Sequence, residues 1–186
     1  MKKTFGLIIG TAVAALFAGT AQAADLEYQQ SPAEASGFYI RGDIGYSLLE
    51  WNGPSDDGAL TAGGGIGYRF NDYLRADVRY TYAGRFQASP WHKLETHTVL
   101  GNVYFDLPVE DWPFRPYVGA GLGWGIGICC NGADDEDGLA AAFMAGVTFA
   151  LTDNLDLDVG YKFQDIFITG PNITEHQITA GFRYNF

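Results

Sequence analysis

The 186-residue sequence predicts an all-β protein, an eight-stranded antiparallel up-and-down transmembrane β-barrel. Three observations point there. Apolar residues recur with period two through eight separate segments, the signature of strands. The connections between those segments alternate between short and long, as they do in barrels that cross a membrane. The chain is also rich in aromatics (15%) and glycine (25 residues) and poor in charge (18%), whereas an ordinary soluble domain carries roughly 25% charged residues.

At the N-terminus, Lys2 and Lys3 precede an apolar stretch from Phe5 to Gly19, and Ala21-Gln22-Ala23 follows. A basic start, an apolar middle and a small-x-small ending make a cleavable secretory signal, and the apolar part is short for a membrane helix. The expected organisation is a signal peptide over 1–23, a short periplasmic leader over 24–36 and a barrel over 37–186. No Cys stands near the cleavage point, which argues against a lipid-anchored form. The net charge of −11 argues against a nucleic-acid partner, because phosphate binding needs a basic patch. Two adjacent Cys cannot build a disulfide framework.

Each segment separates an apolar face from a polar one. The first sets Phe38, Ile40, Ile44 and Tyr46 against Tyr39, Arg41, Asp43 and Ser47. The second opposes Leu60, Ala62, Ile66, Tyr68 and Phe70 to Thr61, three glycines and Arg69. In the third, Leu74, Ala76, Val78, Tyr80 and Tyr82 oppose Arg75, Asp77, Arg79 and Thr81. The fourth places Val99, Val103, Phe105 and Leu107 against Thr96, Thr98, Asn102, Tyr104 and Asp106. The fifth alternates Val118, Ala120, Leu122, Trp124 and Ile126 with five glycines, Gly119 to Gly127. The sixth carries Phe143, Ala145, Val147 and Phe149 on one face. The seventh opposes Leu155, Leu157, Val159, Tyr161 and Phe163 to Asp156, Asp158, Gly160, Lys162 and Gln164. The eighth opposes Ile178, Ala180, Phe182, Tyr184 and Phe186 to Gln177, Thr179, Gly181, Arg183 and Asn185.

Asn71-Asp72 and Thr152-Asp153-Asn154 read as tight turns, with a longer one from Pro108 to Pro116. Residues 49–58, 83–95, 129–138 and 165–175 read as long polar loops. With short turns on the periplasmic side, an even strand number returns both chain ends there.

Alternation alone fits a soluble barrel with an apolar core equally well. Glycine on a water-facing strand packs nothing, whereas inside a narrow barrel small residues make room for bulky neighbours. The aromatics of the apolar face also gather at both strand ends, as two interfacial girdles would. The polar face carries charges of both signs: Arg41, Arg69, Arg75, Arg79, Lys162 and Arg183 with Asp43, Asp77, Asp156 and Asp158. Such a set suits an enclosed, charge-paired lumen network. The apolar face therefore meets lipid.

The stretch Pro116 to Trp124, the hairpin Leu151 to Tyr161 and the ending Gly181-Phe182-Arg183-Tyr184-Asn185-Phe186 resemble the small outer-membrane β-barrels of the opacity-like, porin-family surface-antigen type, akin to OmpA and OmpX barrels. The resemblance implies residence in the outer membrane among lipid and lipopolysaccharide. It also implies that Phe182, Tyr184 and Phe186 form the signal read by the barrel-assembly machinery. It does not imply a pore in a member of eight strands.

Other chemistry is thinly supported. His92, His97 and His176 lie near the long-loop end, and Ser89 and Glu175 are the residues a lipid A-modifying enzyme of this shape would recruit, but no spacing forces them together. Asp134-Asp135-Glu136-Asp137 lacks the alternating ligands of a calcium loop. Cys129 and Cys130 leave open a vicinal disulfide, an intermolecular bridge or a metal site, an oxidised pair suiting an oxidising compartment best. The expectation is a barrel without cofactor or catalytic centre and with a plugged lumen. It would support envelope integrity and offer its loops to an extracellular partner in adhesion or as a surface antigen. A small-solute channel, a lipid A-modifying enzyme and a ligand-binding soluble barrel are the alternatives.

Overall fold

A computed structural model describes residues 36–50, 57–89, 92–109, 111–129, 136–168 and 172–186. The strands are β1 (Gly37–Glu50), β2 (Asp57–Arg69), β3 (Leu74–Ser89), β4 (His92–Asp106), β5 (Arg115–Cys129), β6 (Glu136–Ala150), β7 (Leu155–Phe167) and β8 (Ile173–Asn185). Each pairs antiparallel with the next, and β8 returns to pair with β1, so the sheet is a closed barrel with no free edge.

The short turns are built from local hydrogen bonds. The Asn71 side chain accepts from the backbone N–H of Tyr73 at 2.9 Å and of Leu74 at 2.8 Å, closing the β2–β3 turn. Thr152 does the same for Asn154 and Leu155 between β6 and β7. These side chains offer oxygens two and three residues ahead, which is why such residues nucleate turns. In the β4–β5 connection Asp111 adopts a positive φ of 66°, a conformation that Asp tolerates better than bulkier residues.

At the opposite end the strands run further than the sequence suggests. Most of 83–95 continues β3 and β4, with register shifts between Ala83 and Phe86 and between Gln87 and Ser89. Residues 165–166 and 173–175, expected in a loop, pair across β7 and β8, and Phe167 pairs with Leu139 of β6. Polar residues there mark strands that carry on past the apolar band, not the end of pairing.

Outward positions carry the large apolar side chains. Ile44, Leu60, Ile66, Leu122 and Phe143 are each more than 60% exposed, a surface that water would not tolerate and hydrocarbon requires. Phe38, Phe70, Phe105, Tyr184 and Phe186 encircle the short-turn end, and Tyr46, Tyr80, Trp124 and Tyr161 the other. No described helix is long and apolar enough to cross a membrane; the crossing is made by strands.

Candidate functional site

Period two turns every second residue inward, and in this barrel those residues form a buried ionic core. On β1, Asp43 stands two residues beyond Arg41 and therefore on the same face. Arg41 grips it as a fork, with Nη2 2.6 Å from Oδ1 and Nε 3.1 Å from Oδ2. Arg41 also reaches Asp77 of β3 at 3.3 Å and Asp158 of β7 at 3.7 Å. Arg75 of β3 holds Asp106 of β4 at 2.9 Å and lies 3.7 Å from Asp158. Arg79 lies 3.5 Å from Asp43. Arg183 of β8 binds Asp156 at 2.8 Å and Asp158 at 3.1 Å, and Arg69 meets Asp156 at 3.4 Å. Asp77 further accepts from Asn102 at 2.7 Å and Tyr39 at 3.2 Å. Pairs of this kind are maintained by mutual neutralisation, because a lone charge in such a place costs several kcal/mol.

Three inward tyrosines give the guanidiniums flat faces to lie on. Arg75 sits 4.4 Å from the ring centre of Tyr104 and 4.9 Å from that of Tyr117, and Arg183 lies 5.5 Å from that of Tyr39. Each ring occupies space left by glycine on an adjacent strand. A Cβ on Gly119 would come within 2.6 Å of the Tyr104 ring, and one on Gly146 within 2.7 Å of the Tyr117 ring. The β5 glycines thus seat Tyr104, Asn102 and Ile166, rather than the long charged chains directly.

Above this layer Lys162 of β7 crosses to Thr81 of β3 at 3.4 Å and donates to Gln164 at 3.1 Å. Glu175 accepts from Thr96 at 2.6 Å and from Ser47 at 3.3 Å. Toward the long-loop end the lumen turns apolar, where Ile166 and Ile173, opposite each other in register, are 0% and 2% exposed.

The ten charged residues picked from the sequence (Arg41, Asp43, Arg69, Arg75, Asp77, Arg79, Asp156, Asp158, Lys162 and Arg183) all face inward. Asp106 and Glu175 were missed as members. Asp106 stands on the polar face of its segment, and the sequence places Glu175 in a loop. Phe182, Tyr184 and Phe186 lie on the outward face. Cys129 ends β5, and Cys130 lies outside the described residues.

His97 and His176 lie toward the long-loop end of β4 and β8, as the sequence suggests, with their side chains on the outward face and on opposite sides of the barrel. Tyr80 reaches His97 Nδ1 at 2.7 Å, and Tyr161 reaches His176 Nδ1. Glu175 points the other way, into the lumen. The barrel wall therefore separates His97 and His176 from Glu175; the side chains of Ser89 and His92 lie outside the described residues. Among the described residues, no cluster of three His, Cys, Asp or Glu side chains is arranged to hold a metal ion.

A closed barrel of eight strands with a lipid-ready exterior, two aromatic girdles and a charge-paired interior defines a small outer-membrane barrel protein. Residues 11–186 match the model of the outer membrane protein beta-barrel domain. The chain belongs to that family, and it is an integral protein of the outer membrane. It is similar to uncharacterised proteins of Brucella suis and Brucella abortus, at 32% identity over 83% of this chain and 81% of each relative. Among solved structures it is similar to Neisserial surface protein A, at 27% identity and a TM-score of 0.72, covering 81% of this chain and 98% of that one. The outer membrane protein OprG of Pseudomonas aeruginosa shares the fold at 15% identity and a TM-score of 0.56, covering 83% of this chain and 97% of that one.

Proposed function

We propose that the protein is a plugged, non-catalytic barrel that reinforces the outer membrane and carries its outer hairpin ends as a surface for an extracellular partner. One observation carries this reading: side chains from opposite walls meet across the lumen. Arg75 of β3 with Asp158 of β7 and Lys162 of β7 with Thr81 of β3 span it directly. Eight strands leave an interior only wide enough for side chains, and here those side chains bind one another. The separation of His97 and His176 from each other and from Glu175 supports the absence of a hydrolytic centre. Lipid and lipopolysaccharide are the partners of the outward face, and the assembly machinery that of the C-terminal strand.

Planar-bilayer recording on refolded protein tests the plug. The expected record is a quiet membrane. Steady, reproducible conductance steps would replace this reading with a small-solute channel.

A further inference from the structure

Hydrogen-bond donors and acceptors do not balance at the periplasmic mouth of the lumen. There Arg69 of β2 and Arg115 of β5 line a cleft with Thr148, Asp153, Asp156 and Asn185. A single oxygen of Asp156, Oδ2, faces four N–H groups: Arg183 Nη2 at 2.8 Å, Asn185 Nδ2 at 2.9 Å, Arg183 Nε at 3.2 Å and Arg69 Nη2 at 3.4 Å. A carboxylate offers about four lone-pair sites over its two oxygens, so one oxygen cannot serve four donors well. Arg69, the most distant, is the least satisfied. The Nε atoms of Arg69 and Arg115 are buried and have no acceptor among the described residues.

Elsewhere in the lumen the unbonded guanidinium nitrogens have other company. Those of Arg75 lie against the rings of Tyr104 and Tyr117, and Nε of Arg79 faces the Asp43 carboxylate. At the mouth, by contrast, the orphaned donors belong to residues that line free space. A buried N–H without an acceptor is costly, and two such donors belong to the arginines of this one cleft.

We infer that this cleft is a binding site for one carboxylate group entering from the periplasm, held by Arg69 and Arg115. The planar fork of a guanidinium matches a carboxylate in shape and charge. The cleft has about 20 Å³ of free volume, which admits a group little larger than one water. That suits the oxygens of a carboxylate better than the four of a phosphate. Asp153 and Asp156 line the same cleft, and they repel a dianion more strongly than a monoanion. Entry is from the periplasm, because the cleft lies at the short-turn end and the cross-lumen pairs of Arg75 with Asp158 and Lys162 with Thr81 stand between it and the other end. The carboxylate is supplied either by a free small acid or by the C-terminus of a cell-wall peptide.

The test uses the barrel refolded in detergent micelles with isotope-labelled arginine, its Nε–H signals assigned through Arg69→Gln and Arg115→Gln. Folding of both variants is checked by heat-modifiable migration. Sodium acetate should shift the Arg69 and Arg115 signals saturably, while chloride at equal ionic strength should not. Arg115→Gln should weaken the acetate response of Arg69 about tenfold, as loss of one charge-assisted hydrogen bond predicts. A peptide ending in D-alanyl-D-alanine separates the sources: a matching shift assigns a cell-wall carboxylate, and a response to acetate alone assigns a free acid. Equal shifts with acetate and chloride, or tighter binding of phosphate than of acetate, would overturn the inference.

Discussion

Asp43→Asn is the perturbation that best probes the ionic core, because two arginines depend on Asp43 unequally. The substitution keeps the shape and removes the charge. Arg41 loses the fork at 2.6 and 3.1 Å but keeps Asp77 at 3.3 Å and Asp158 at 3.7 Å. Arg79 loses its 3.5 Å contact and keeps no carboxylate partner among the described residues. Removing one partner of a buried pair costs about 3–5 kcal/mol, chiefly through the charge left behind. Here that charge is Arg79, whose side chain is 5% exposed. Arg79→Met deletes the stranded charge at similar length, so the double variant should recover about 2 kcal/mol relative to Asp43→Asn alone. The assay is equilibrium guanidinium unfolding of the barrel in lipid vesicles, followed by tryptophan fluorescence. A loss below about 1 kcal/mol for Asp43→Asn, or strict additivity in the double variant, would refute the idea that charge pairing holds the lumen together.

Two further outcomes follow from the outward face. Val99→Arg or Leu122→Arg, at positions 48% and 64% exposed to lipid, should destabilise the barrel by about 2–4 kcal/mol, and Thr98→Ser on the inner face far less; equal tolerance in the same unfolding assay would invalidate the register. Deleting Phe186, which closes on β1 through Phe38 at 3.1 Å, should leave unassembled, protease-sensitive protein in the periplasm; whole-cell protease protection and heat-modifiable migration would show this, and normal surface display would contradict it.

The strands and their faces were legible because a half-exposed strand writes its environment in every second residue. Where that contrast faded, the reading failed. Beyond the apolar band Thr174 and Glu175 follow one another, so polar sits beside polar and the strand resembles a loop. Only pairing across β7 and β8 shows the Glu175 side chain pointing inward. The charged members of the lumen were legible for the same reason as the strands, but their partners were not. Arg75 pairs with Asp106 across one strand boundary and with Asp158 across the lumen, and no local pattern encodes a distance across a closed wall. The glycine stripe of β5 faces inward, as the sequence predicts, but what it accommodates depends on β4 and β7, which supply Tyr104, Asn102 and Ile166.

The seam between β1 and β8 governs how the chain comes to exist at all. Tyr39 pairs with Asn185, and Glu50 with Thr174, so the first strand finds one of its two neighbours only in the last one made. Until the final residues are delivered, β1 presents a row of unsatisfied N–H and C=O groups, and so does each newest strand. Joining ends this remote carries a loop-closure penalty that must be met before the closing hydrogen bonds can form. The polypeptide must therefore cross the periplasm as an open, aggregation-prone chain, which makes safe passage through that compartment a matter of escort and timing.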